Sequence, residues 1–334
     1  MYIEPMDMAY VRMALQKAAQ LHLSDPNVGL IDFGLPEQCD EIIEDDLAIR
    51  FHVYQKHSRF TLEAAIERGD TNADLTQPIV VGGFKFKTDV IKGNYRTHFS
   101  PGRSVRRRPA PTNPRAVRTD LMQGGISISD ERHNGFGTLG GLVRDRATGA
   151  EMILSNWHVL VADWGVRPGL RIFQPGRLDG GSFADTVATL TRDAMSVNLD
   201  AAVAALTGAR RLINEQFGIG PVRGVGQPRV GMQVIKSGRR SNVTVGRVTS
   251  VNEGIAKMRY GSLERTILKV MTIKPLPARE GDQVSGGGDS GSWWLDAETG
   301  NAVGLHFAGQ DQPETALAID MQSVLNALNV DIVL

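Results

Sequence analysis

Cysteine is almost absent from this chain: Cys39 is the sole one among 334 residues. One thiol cannot close an intramolecular disulfide, so the fold must hold without such staples, as suits a reducing cytoplasm. Cys39 itself reads as a small, partly buried hydrophobe. Net charge is absent too. The 37 Lys and Arg offset 37 Asp and Glu, which removes the global field that a nucleic-acid or anionic-membrane binder uses. No apolar run reaches the roughly 18 residues of a membrane span. Nor does the amino terminus pair a basic start with a continuous apolar stretch, the pattern of a secretory signal. Met8, Val11, Met13, Leu15, Ala18, Ala19 and Leu21 are spaced instead as one face of a surface helix. A metal-ligand set is also missing, since His52 and His57 lie five apart and no cysteine or carboxylate set joins them. The expectation is a soluble, cytoplasmic protein without nucleic acid, membrane span, metal or cofactor.

What is present divides into three stretches, because 334 residues exceed what one hydrophobic core serves. Residues 1–98 read as a small α+β domain, with strand-forming runs at 28–33, 47–54 and 79–86 and a helix at 61–68. Residues 99–122 read as a linker. SPGRSVRRRPAPTNPRAVR holds four prolines and six arginines with almost no apolar content, which predicts an extended, mobile tether. Residues 123–334 change character to short strands between glycine-rich turns. Six strands within about 123–222, six within about 223–319 and a helix at 320–328 predict two packed barrels with a closing helix.

The sharpest chemical signal is GGDSGS at 287–292. A serine hydroxyl is a poor nucleophile until a base takes its proton and donors hold the oxyanion that forms. Glycines around Ser290 allow a tight loop with amides aimed at one point, and Gly288 and Ser290 would supply the two oxyanion donors. Taken alone, GDSG is equally well a glycine-rich turn with an exposed serine. Two segments upstream add to it. ILSNWHVL puts His158 just after an apolar strand, and NLDAAVAAL puts Asp200 just before one. Asp200 buried against the imidazole N–H would fix its tautomer and stabilise the imidazolium. Asp185 and Asp193 compete for that role.

The order His, Asp, Ser, the GDSGS loop and the doubled six-strand pattern resemble the chymotrypsin-like serine proteases, over roughly 123–334. GTLGGLVRD, ILSNWHVL, LDAAVAAL and VGMQVIKSGRRSNVTVGRVTSV look like bacterial trypsin-like proteins related to the plant narrow-leaf protease. The resemblance implies a mainly β, chymotrypsin-like double six-stranded β-barrel with a C-terminal helix, preceded by a small α+β domain. It implies hydrolysis of peptide bonds by a triad of His158, Asp200 and Ser290. Val159 stands where secreted digestive relatives carry a disulfide cysteine. No short activation peptide is evident, so if a freshly cleaved amino terminus holds this aspartate in those relatives, Asp289 here must find another partner or the site must form without cleavage. By the same resemblance the base of the specificity pocket is Val284 with Ser285 beside it. VGLHFAG at 303–309 supplies the wall, with His306 inward and Phe307 and Gly309 next to it. A valine at the base argues against Arg or Lys before the scissile bond. His306 could hydrogen-bond a Glu or Gln side chain, or it could simply pack between strands.

The reading is therefore a regulated intracellular serine endopeptidase acting on protein or peptide substrates, with an oligomer or regulatory partner contacted through the N-terminal domain. Two rivals stay open: a catalytically silent peptide-binding module, and a protease dedicated to itself or to one partner protein in a stress or defence pathway.

Overall fold

Short β-branched runs between glycine turns make strands that bury one face each, and closing them into barrels leaves no unpaired edge. In the computed structural model of this chain, which describes residues 5–38, 41–44, 46–71, 74–98, 100–101, 113–279 and 281–334, two such closures form the body. The first uses Ser127–Asp130, Glu151–Ser155, Ala202–Leu206, Thr186–Asp193 and Arg171–Phe173. Its sixth strand is bent. One half, Gly135–Thr138, pairs with Ser127–Asp130, and the other, Gly141–Asp145, pairs with Glu151–Ser155.

The second barrel runs Gln233–Gly238, Asn242–Val248, Leu263–Lys274, Glu314–Asp320, Asn301–Asp311 and Trp293–Asp296. Each is antiparallel to the next, and the last pairs back onto the first. Helix Met321–Ala327 follows, capped by the Asp320 carboxylate, which accepts from the Ser323 amide at 2.8 Å. Strand Val330–Ile332 then returns the chain end to Gly141–Asp145 of the first barrel. The protein is mainly β, as its patterning predicts.

The N-terminal segment does not stand apart from these barrels. Strand Val28–Gly34 pairs on one side with Ala48–Val53 and on the other with Gly254–Tyr260, an extension of the second barrel's sheet. Thr88–Lys92 adds a parallel strand outside Ala48–Val53. Helix Pro5–His22 covers this sheet with Val11, Leu15 and Ala18, against Val28, Ile31 and Phe51. A buried ion pair crosses the junction: Arg50 donates to both Asp32 oxygens, at 2.7 and 2.5 Å, and to the Thr272 hydroxyl at 2.7 Å.

Three local readings change. The run at 79–86 is a hairpin, Ile79–Val81 and Phe84–Phe86, because Gly82 and Gly83 both take positive φ. Strands Thr88–Lys92 and Gly254–Tyr260 were not expected: the first buries only Ile91, and the second alternates buried and outward positions but sets the charged Lys257 and Arg259 on its outward face. The tether reading covers 102–112, which lie outside the described residues, but the chain is packed from Asn113 on. Arg115 there is 3% exposed and donates to the carbonyls of Gly125 and Phe217 and to the Ser237 hydroxyl. Composition predicts solvation for an arginine, and a guanidinium that finds three acceptors defeats that expectation.

Candidate active site

Two adjacent strands of the first barrel bring an imidazole and a carboxylate together. Glu151–Ser155 runs into the single-turn helix Trp157–Leu160, which carries His158. Ala202–Leu206 pairs with it in a register that puts Ser155 opposite Ala202, so Asp200 arrives beside that turn. Asp200 Oδ2 lies 2.5 Å from His158 Nδ1, and Oδ1 accepts the His158 backbone N–H at 3.1 Å. Asn156 fixes the aspartate from behind by donating to its carbonyl at 2.7 Å.

Tyr260, which no local pattern singles out, donates its hydroxyl to Asp200 Oδ2 at 2.7 Å. Burial, with the Asp200 carboxylate next to it, holds that phenol well above its ordinary pKa, so it remains a donor. It reaches the site on Gly254–Tyr260, the strand that also joins the N-terminal sheet. The rival carboxylates are occupied elsewhere. Asp185 accepts from Ser182 and Arg118, and Asp193 accepts from the Met195 amide.

Ser290 sits in the loop before Trp293–Asp296, fully buried. Gly288 has φ +115°, and a Cβ there would strike the Phe136 ring, so only glycine fits. The loop is tied to the first barrel: Thr138 N–H donates to the Ser290 carbonyl at 2.7 Å, and its hydroxyl to the Gly288 carbonyl at 2.8 Å. The neighbouring Gly137 touches both Val159, next to His158, and the Ser290 carbonyl. The serine and the histidine thus flank one strand. Ser290 Oγ itself donates to the Phe307 carbonyl at 3.1 Å.

Asp289 finds its partner in Lys236. Nζ lies 3.0 Å from Oδ2, and both side chains are fully buried. Ser241 Oγ donates to the same oxygen at 2.5 Å, and the amides of Gly286, Arg240 and Ser241 complete the cage. Burial pushes this carboxyl up, but Lys236 and the other donors outweigh it and hold it far below the usual range. The ion pair holds the serine loop with no free amino terminus. A lysine inside the strand pattern QVIKSG was the available sequence signal, since an inward lysine demands a buried anion.

Around the expected pocket, Val284 and Ser285 are buried and their amides both donate to Glu314 Oε1 at 3.0 Å. Burial raises the Glu314 carboxyl to about 7 against those bonds. This acid was not anticipated, because it comes from the strand after the pocket wall. His306 is fully buried, with Nε2 3.1 Å from His98 Nδ1. Burial, then His98 and Lys236, keep the His306 imidazole well below its ordinary pKa, and burial brings His98 to about 4. Both rings are neutral at neutral pH. A Cβ at Gly309 would lie 2.5 Å from His98 Cε1, so the bare backbone of Gly309 forms a wall against that ring.

No family model and no curated protein matches the chain. Among solved structures it is similar to protease A of Thermobifida fusca, at 16% identity over 64% of this chain and 98% of that one, TM-score 0.46. It is similar to a glutamic acid specific serine protease at 18% identity, over 64% and 100% of the two chains, TM-score 0.45. The active form of the Rv3671c protease from M. tuberculosis matches at 16% identity, over 69% and 96%, TM-score 0.38. The structures it resembles are chymotrypsin-like serine proteases.

Proposed function

We propose that this chain is a serine endopeptidase that hydrolyses peptide bonds through an acyl-enzyme. Ser290 Oγ attacks the carbonyl carbon, and His158 takes its proton and passes it to the leaving amine. Asp200 fixes the ring with its N–H at Nδ1 and stabilises the imidazolium, while Tyr260 and the His158 amide hold Asp200 in turn. The Gly288 and Ser290 amides receive the oxyanion. Water then attacks the ester with His158 again as base, and no metal or organic cofactor enters the scheme.

The reading rests chiefly on the contact of His158 Nδ1 with a fully buried, three-donor carboxylate. Its test is turnover of an unfolded protein by the wild type and by Ser290→Ala and His158→Ala chains of unchanged stability. Near wild-type turnover in either variant removes the assignment, and a silent peptide-binding module would leave all three equally inactive. For the residue before the scissile bond we propose Glu or Gln first, small apolar residues second, and Arg or Lys last. Neutral His306 offers a hydrogen bond and no negative charge, although Glu314 beside the Val284 and Ser285 amides is the one feature that favours a base. We place the reaction in a reducing, cytoplasmic compartment on the strength of the lone Cys39.

A further inference from the structure

The cleft between the barrels is filled by the chain itself. Arg96–Thr97 pairs antiparallel with the second barrel, Thr97 opposite Ala308 and Arg96 opposite Gly309. The His98 N–H donates at 3.1 Å to the Phe307 carbonyl, the same oxygen that accepts the Ser290 hydroxyl. The His98 carbonyl accepts the Gly288 N–H, one of the two expected oxyanion donors. Its ring fills the pocket between His306 and Gly309. Beyond the next residue the chain continues onto the other barrel, where Ser100 pairs opposite Phe136 and Pro101 opposite Gly135.

We propose that the protein binds its own residues 96–98 and 100–101 as a substrate and cuts the peptide bond that follows His98. This deepens the peptidase reading and rests on it. An extended peptide that adds a strand on each side of the nucleophile is held by main-chain bonds, and one side chain selects it. Here the side chain is a neutral imidazole facing a second imidazole. A docked inhibitor could share this pose if both ends were anchored alike, but the two ends differ. Upstream, the chain leads into the N-terminal sheet that is hydrogen-bonded to the second barrel and braced by Arg50. Downstream, Ser100–Pro101 makes a two-residue pairing with the first barrel, and among the described residues the chain is next held at Asn113 and Arg115. Next to the cut, the acyl side is therefore held by a sheet and the amine side by that short pairing.

The step balances with water as the one co-reactant. Ser290 Oγ forms the ester to the His98 carbonyl carbon, the C–N bond breaks, and the proton passes through His158 to the amine of Phe99. Water then frees the His98 carboxylate and restores Ser290. The fragment ending at His98 stays joined to the second barrel through its sheet.

Purified full-length chain, denatured and weighed by mass spectrometry over time, tests this. The expected result is two fragments, one ending at His98 and one beginning at Phe99, that co-elute before denaturation. Cleavage should follow first-order kinetics unchanged by about 100-fold dilution, because the substrate is tethered. Ser290→Ala should slow it on the order of 10⁴-fold or more. Phe99→Pro should leave the chain intact, since proline makes a poor leaving amine in this geometry. A cut at another bond, or a rate that grows with concentration, overturns the proposal. A chain that stays whole yet hydrolyses unfolded casein overturns self-cleavage and leaves the peptidase reading standing. A chain that does neither removes both.

Discussion

Two buried imidazole pairs lie on either side of Ser290, and they differ in what each ring faces. His158 faces a carboxylate that already holds three donors, so a proton arriving on the ring meets a fixed negative charge. His306 faces another imidazole, with the buried Lys236 ammonium nearby, so a proton there is opposed by burial, His98 and Lys236, which outweigh the attraction of Asp289. On the proposed peptidase reading, the first pair becomes charged during the reaction, and the second stays neutral and shapes a pocket. Burial alone does not decide what a histidine does; the charge of its partner does.

The largest effect that should separate the pairs is on rate. His158→Ala and Asp200→Asn should each lower hydrolysis on the order of 10⁴-fold, because Asn would present the wrong hydrogen-bond partner to Nδ1. His306→Ala should instead change which residue is accepted before the cut, read by profiling a mixed peptide library. A loss at His306 as deep as that at His158, for every peptide, would erase the distinction.

A second comparison sets two ion pairs against each other. Lys236→Met strands the buried Asp289 and Arg50→Met strands the buried Asp32, each expected to cost about 3–5 kcal/mol in urea unfolding. Only Lys236→Met should also abolish activity in the molecules that remain folded, since Asp289 adjoins the nucleophile while Asp32 braces the N-terminal sheet. Equal losses of activity would mean that the N-terminal sheet positions the serine loop as well.

The pocket pair should respond to acid. The His98 ring titrates near 6.5 when free and at about 4 when docked, chiefly through burial. Asp289 and Asp311 oppose that shift, and Lys236, His158 and the adjacent His306 face the ring as well. Docking is therefore at full strength above pH 6.5 and is lost as the pH falls towards about 4. In the Ser290→Ala chain, hydrogen exchange at the His98 amide should be protected at pH 7.5. By pH 5 that protection should drop on the order of tenfold after correction for intrinsic rates. Unchanged protection would show that the main-chain pairing alone holds the segment.

The smallest expected effect concerns Tyr260. Removing its hydroxyl in Tyr260→Phe takes one of three donors from Asp200, for about 1–2 kcal/mol, and should lower kcat several-fold while KM stays put. A change in KM alone would make Tyr260 a packing residue.

How legible all this was in the sequence depends on range. The barrels could be read because strand-forming residues cluster in short runs with glycines among and between them, as in Gln233–Gly238 and Asn242–Val248. His158 and Asp200 could be singled out because each adjoins an apolar strand, and Ser290 because glycines surround it. Tyr260, Glu314 and His98 could not, because their roles depend on partners 60, 29 and 208 residues away. No local pattern encodes such pairings. The docked segment was hidden further by its setting, next to an arginine- and proline-rich run that composition alone assigns to solvent.

The most direct test is a fluorophosphonate probe applied to the full-length chain and to a His98→Gly chain, with the adduct located by peptide mass mapping. An adduct at Ser290 is expected in both, forming faster where the His98 ring no longer fills the pocket, and none in Ser290→Ala or His158→Ala. An unlabelled Ser290 in the His98→Gly chain, or an adduct on another serine, would contradict it.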